Sequence, residues 1–254
     1  MFRPRVIPVL LLKNKGLVKT INFKKTRYIG DPINAVKIFN DLKADELMFL
    51  DIESSIRDKS IMFDLIRKIS EEAFMPFSVG GGIKNIDDAA KIIEQGAEKI
   101  VLNSHVFYNP ELIRIIADHF GSQSVCVSID VKKNLFGNYQ ILSLSGTKKI
   151  KFKIIDWVTK IIDLGAGEIL INSVDNDGRM NGYDLKIIET ISSVSNVPVV
   201  ACGGAGKLND FKLAVESGAH AVAAGSMFIY HGPRKGVLIN YPNKNELLEI
   251  FNEK

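Results

Sequence analysis

The chain is two copies of one pattern. Gly82 and Gly204, Gly96 and Gly218, Asn103 and Gly225, and Ser104 and Ser226 each stand 122 residues apart. They lie inside VGGGI…QGAEKIVLNSHVF and ACGGAG…SGAHAVAAGSMFI. The same shift lays DLKADELMFL on DLGAGEILIN, so that Glu46 falls on Glu168. A repeat of half the chain is too long for a stacked solenoid unit. Chance likeness between βα units would match glycines alone. Matching Ser and Glu positions as well points to two half-barrels related by a pseudo-two-fold axis.

Short apolar runs alternate with longer amphipathic stretches through both copies. Strands are predicted at Arg5–Leu12, Glu46–Ile52, Phe77–Val79, Lys99–Leu102, Val125–Asp130, Glu168–Asn172, Val199–Ala201 and Ala221–Ala224. Helices are predicted at Ile33–Lys43, Ile61–Ala73, Ile86–Gln95, Glu111–His119, Lys153–Asp163, Tyr183–Val194, Leu208–Glu216 and Asn245–Phe251. Eight strands alternating with helices require a parallel sheet with right-handed crossovers. At 254 residues the natural closed form is an α/β (βα)8 TIM barrel, one domain over residues 1–254. Phe136–Thr147 reads as a short hairpin inserted after the fifth strand.

Composition narrows the function. The net charge is only +4 and no block of like charges stands out along the chain, which reads as a solvated basic surface and not as a nucleic-acid footprint. The apolar run Val6–Leu12 is too short to span a membrane, and no cleavage-site pattern follows it. Cys126 and Cys202 sit in strand-like runs, as core residues of a reducing compartment would, and the expected location is the cytoplasm. His105, His119, His220 and His231 are scattered without paired ligands, so no metal and no cofactor are expected.

The two Gly-rich turns, Gly80-Gly81-Gly82 and Gly203-Gly204-Ala205-Gly206, carry the first chemical signal. Glycine lets backbone N–H groups approach an anion, and a Ser or Asn one unit later adds a side-chain donor. One such loop serves equally well as a tight turn. Two, each paired with a Ser-bearing strand end, favour two phosphate sites facing each other across a barrel mouth. Asp130 ends the fifth strand in VSIDVKKN, where barrel enzymes place their chemistry, and is a candidate general acid or base. Asp51 and Asp177 fall on the same face, and Asp175 and Asp177 also suit turns. At the opposite strand ends stand Arg5, Glu46, Lys99 and Glu168. Two cations and two anions facing an axis need mutual pairing. A solvated rim of salt bridges is the other reading.

The ordered set IP-x-L, Gly30-Asp31-Pro32, ADELMFLDI, VGGGI, LNS, FGSQ, SID, LGAGEIL, DNDG…NGYDL and GGAG…AAGSMF resembles HisF, the cyclase subunit of imidazole glycerol phosphate synthase. The likeness runs over about residues 3 to 231. It implies a ribulose-phosphate-binding barrel with a HisH-like glutaminase docked on the N-terminal face. Ammonia would cross a charged gate, here Arg5, Glu46, Lys99 and Glu168, and meet a doubly phosphorylated sugar intermediate at the other face. The resemblance gives one phosphate site Gly82, Asn103 and Ser104, and the other Gly178, Gly204, Gly225 and Ser226. Lys19 matches a lysine of the mobile loop after strand one, and Asp130 and Asp177 match active-site carboxylates.

The pattern breaks at one chemical position. The family's IPCLDVK reads IPVLLLK here, and Leu11 stands where the family has a catalytic aspartate. Asn172 replaces the usual threonine, and YHGPRKGVLINYP adds a loop with Arg234 and Lys235 that should overhang the mouth. With the gate kept and the acid–base pair broken, the resemblance points to the HisF-like paralogues. These serve a separate amidotransferase in forming acetamidino groups on surface-polysaccharide sugars, with a phosphorylated or nucleotide sugar as acceptor. An authentic histidine-biosynthesis cyclase and a non-catalytic ammonia-conducting scaffold are the alternatives.

Overall fold

β-Branched and aliphatic runs too short to be helices pair side by side and close on themselves. In the computed structural model, which describes residues 3–54 and 61–252, the barrel strands are β1 (Arg5–Lys13), β2 (Leu47–Asp51), β3 (Phe77–Gly80), β4 (Lys99–Leu102), β5 (Val125–Lys133), β6 (Glu168–Ser173), β7 (Val199–Cys202) and β8 (Ala221–Ala224). Each pairs in parallel with the next, and β1 pairs with β8, Arg5 opposite Ala221 and Pro8 opposite Ala224. Eight helices among the described residues surround the ring: α1 (Pro32–Asp41), α2 (Phe63–Glu72), α3 (Ile86–Glu94), α4 (Glu111–Phe120), α5 (Ile154–Asp163), α6 (Leu185–Ser192), α7 (Leu208–Glu216) and α8 (Lys244–Asn252). The structure is a closed (βα)8 barrel, as the alternation required.

Alternation along each strand separates two apolar regions. One side of the strands packs on the helices through a large layer that includes Val6, Phe39, Ile100, Val127, Trp157 and Phe211. The other side fills the lumen with Ile7, Val9, Met48, Val101, Cys126, Leu170, Val200, Cys202, Ala221 and Ala223. α1 shows how a helix starts locally: the Asp31 carboxylate accepts the Asn34 N–H at 3.0 Å, and Pro32 occupies the first turn, where a missing N–H costs nothing.

The repeat is visible in the backbone. Gly81 and Gly82 after β3, and Gly203 and Gly204 after β7, all have positive φ. One-turn 3-10 helices follow β4 at Ser104–Phe107 and β8 at Ser226–Phe228. The first strand of each half also continues into two antiparallel strands. β1 runs on to Gly16–Ile21 and Lys24–Gly30, and β5 to Tyr139–Ser143 and Lys148–Ile150.

These extensions correct the sequence reading. The segment after β1, expected as a mobile loop, is a hairpin turned at Asn14-Lys15 and Asn22-Phe23, all four with positive φ. Such turns favour Gly, and Lys and Phe gave no signal for them. The insertion expected at Phe136–Thr147 is a wider three-stranded unit that includes β5 itself. The helix expected from Tyr183 begins at Leu185, and the Tyr183 hydroxyl donates to the Ala223 carbonyl at 2.9 Å.

Candidate functional site

The C-terminal ends of the strands surround a cavity of about 1080 Å³, its open mouth included. Most residues singled out in the sequence meet there. Asp130, Lys19 and Asp177 line it, as do Asn103 and Ser104 on one side and Gly178, Gly204, Gly225 and Ser226 on the other. Gly82 does not. It lines an adjoining cleft of about 570 Å³ together with Asn103 and Ser104, so the three residues expected to hold the first phosphate meet there. Asp51 accepts hydrogen bonds from the Ser54 hydroxyl at 2.6 Å and from the Glu53 N–H at 2.8 Å, and so organises the turn after β2.

Asp130 is held by amides from both sides. Asn103 Nδ2 donates to it at 3.0 Å and Asn172 Nδ2 at 3.4 Å. Burial pushes its carboxyl up to about 7, against those two hydrogen bonds and helped by the charge of Asp177. Lys19 lies buried on the hairpin strand Gly16–Ile21, and its ammonium donates to the Val9 carbonyl at 2.5 Å. Burial brings it down to about 8 despite the opposing pull of Asp177. The Lys19 Nζ fills the space beside Gly225, where an added Cβ would come within 2.3 Å of it.

Asp177 joins the hairpin to the loop after β6. Its carboxylate accepts from the Thr20 hydroxyl at 2.8 Å and the Phe23 N–H at 3.2 Å, and burial raises its pKa against these bonds. Gly178 touches the same strand, since a Cβ there would sit 2.1 Å from the Thr20 carbonyl oxygen. Thr20 carried no recognisable signal in the sequence. Asn172, seen there only as a departure, is the second amide on Asp130. Leu11, at the end of the lumen-facing row Ile7, Val9, Leu11, also lines the cavity, so an alkyl group shares the mouth with Asp130. Arg234 and Lys235 do not line it, although their loop lies at the same end of the barrel. They belong to an exposed hairpin, Tyr230–His231 with Gly236–Val237, whose Tyr230 ring lies 5.5 Å beneath the Arg27 guanidinium. Among the described residues no cluster of His, Cys, Asp and Glu could hold a metal ion.

At the opposite end the four separated charges close into a ring. Lys99 Nζ lies 3.2 Å from Glu46 and 3.2 Å from Glu168, and Arg5 bonds both carboxylates from the other side. Both glutamates are about 3 % exposed, so the cations answer a desolvation cost that neither carboxylate meets alone. Burial raises Glu46, opposed by Lys99 and Arg5. Arg5 is raised: burial, which alone would lower it, is outweighed by Glu168 and Glu46. Directly above, burial drives the Cys126 thiol well up, and the lumen wall carries no formal charge.

The family model for histidine biosynthesis proteins matches residues 5–234. A Leptospira borgpetersenii protein, provisionally named imidazole glycerol phosphate synthase subunit HisF, is 49% identical over 253 residues, 99% of this chain and 100% of its own length. The chain belongs to the HisF family. A second relative, provisionally named subunit hisF2, from Pseudomonas aeruginosa, is 46% identical over 97% of this chain and 99% of its own. The Alkaliphilus metalliredigens protein named imidazole glycerol phosphate synthase subunit HisF is 42% identical over 91% of this chain and 92% of its own. Leu11 and Asn172, the departures from the HisF pattern stated above, both line the cavity. No helix among the described residues is long and apolar enough to cross a membrane.

Proposed function

We propose that this chain is the barrel subunit of a glutamine-dependent synthase. It takes ammonia from a HisH-like glutaminase at the charged ring and delivers it, through the lumen, to a phosphorylated or nucleotide sugar at the mouth. The reading rests on one observation above all: a closed ring of paired charges at one end and a buried carboxyl with a raised pKa at the other, joined by an uncharged lumen. Ammonia enters such a lumen as a neutral molecule. Ammonium would carry the desolvation cost of a buried ion, several kcal/mol at least. Arg5 and Lys99 hold Glu46 and Glu168 in place without offering a free carboxylate to trap the proton.

At the mouth, Asp130 with a pKa of about 7 is half protonated near neutrality, so it can take a proton from an attacking nitrogen or return one. Lys19, near 8, supplies positive charge beside Gly225 and Ser226, where a phosphate would sit. Leu11 offers no second carboxyl. A missing general acid or base typically lowers a rate by roughly 10²–10⁴-fold. The acceptor is therefore a sugar whose amidination needs one such group, in surface-polysaccharide synthesis with a separate amidotransferase. The cyclase of histidine biosynthesis is the second reading, favoured by 42% identity to a protein so named.

The test is ammonia-driven turnover of the cyclase intermediate by purified protein. Wild-type turnover should lie roughly 10²–10⁴-fold below that of a two-carboxylate cyclase, with Leu11→Asp recovering at least about tenfold. Wild-type turnover at the ordinary cyclase rate would establish the second reading instead.

A further inference from the structure

Three segments gather at the mouth end of the barrel: 13–30, 131–153 and 226–240. In the sequence they lie far apart, and none is a run of like charge. Together they hold fourteen Lys and Arg and no Asp or Glu. The rest of the chain, nineteen cations against 29 acids, carries a net charge of −10. The fold therefore brings three strongly basic segments to one end of the molecule, beside the acids Asp175, Asp177 and Asp184 of the loop after β6. Of the fourteen, only Lys19 lines the main cavity, and only Lys133 pairs with a carboxylate among the described residues, Asp184 at 2.7 Å. The remaining cations do not serve a small anion inside the cavity.

Exposed apolar side chains collect in the same segments. Among the described residues thirteen large hydrophobic side chains stand exposed, and seven of them lie in these 56 positions. Leu135 is fully exposed and Phe136 nearly so, at 88 %. They form the tip of the β5 extension, which rises about 10 Å beyond Asp130 at ~3.3 Å per residue. Lys132 and Lys133 flank that tip. Ile21 and Tyr28 project from the β1 hairpin beside Lys24, Lys25 and Arg27. Val237 and Leu238 follow Arg234 and Lys235. The units adjoin: Arg27 stacks over Tyr230, and Gly146 lies against the Phe23 ring.

We propose that this end of the barrel docks on an anionic lipid surface, with the apolar tips entering the headgroup boundary and the lysines facing lipid phosphates. Stable anchoring takes two signals, apolar insertion and basic charge, and both occur here in the same three loops. The residue choice favours lipid over an acidic protein. Twelve of the fourteen cations are Lys, and protein interfaces are enriched in Arg and depleted in Lys. Substrate steering alone would use the charge and leave the exposed tips unexplained. This goes beyond the function proposed above and does not depend on it.

The experiment is co-sedimentation of the full-length chain with phosphatidylglycerol–phosphatidylcholine vesicles and with phosphatidylcholine vesicles alone. Binding to the anionic vesicles only is expected, weakening as salt screens the charge. Lys25→Glu, Lys132→Glu and Lys149→Glu together should weaken it by more than about tenfold. Leu135→Ser with Phe136→Ser should leave weak binding that salt removes fully. Every altered residue is exposed, and unchanged thermal melting shows that the variants fold. Wild-type protein left in the supernatant with anionic vesicles overturns the proposal, as does undiminished binding by both variants. Binding to soluble polyglutamate but to no vesicle would overturn it in favour of an acidic protein.

Discussion

Asp130 and Lys19 are where burial does chemical work. An Asp whose folded pKa is raised from 3.8 to about 7 binds its proton more tightly folded than unfolded. The folded chain thus holds more protons between those values, and the contribution to stability falls as pH rises through that window. Asp130→Asn, which cannot ionise, should be more stable than wild type above pH 7 by up to about 4 kcal/mol, and the gain should vanish below pH 4. Thermal melts across that range check this, and a constant difference at all pH values would contradict it. Lys19 acts with the opposite sign, since a lowered lysine pKa makes stability rise with pH between about 8 and 10.5. Asp130 could be found in the sequence because a carboxylate interrupts an apolar strand end. Its pKa could not, because the burial that raises it is made by the assembled barrel, and the amides of Asn103 and Asn172 that oppose the rise come from either side.

At the level of elements, the β1 hairpin forms one wall of the mouth through Lys19, Thr20 and Phe23. It is pinned by Asn22, whose Nδ2 donates to the carbonyls of Val174 and Asp175, both at 2.7 Å, and whose Oδ1 accepts from Arg179 at 3.0 Å. Thr20 and Phe23 add their bonds to Asp177. Asn22→Ala removes the side-chain bonds and places Ala at a φ of +52, which Asn tolerates better. The expected result is hydrogen exchange of the amides of 16–30 accelerated about tenfold or more, with β2 to β8 unchanged; uniform acceleration through the barrel would show that the hairpin does not open on its own. Strands and helices were readable because their apolar spacing is a local property. A hairpin after β5 was readable as well, but the β1 extension was not, because its turns use Lys and Phe at positive φ and its partners lie on a loop 152 residues away.

For the whole molecule, the half-barrel repeat is what turns scattered residues into two ends with different chemistry. Glu46 and Glu168, matched by the repeat in sequence, meet the same two cations in the ring. Gly81-Gly82 and Gly203-Gly204 take the same left-handed backbone at opposite sides of the mouth. Between the ends, Ala221 and Ala223 put small side chains on the β8 side of the lumen. That wall is a place to block passage without touching either end. Ala223→Leu adds three carbon atoms to a fully buried lumen position, at a stability cost of about 1–3 kcal/mol. The decisive measurement compares glutamine-driven with ammonium-driven product formation by the reconstituted complex of this variant with the proposed HisH-like glutaminase. Transit through the lumen predicts that the glutamine-driven rate collapses while the ammonium-driven rate, fed from the mouth, stays within about twofold of wild type. Equal loss of both rates, or no loss of either, would contradict passage through the barrel.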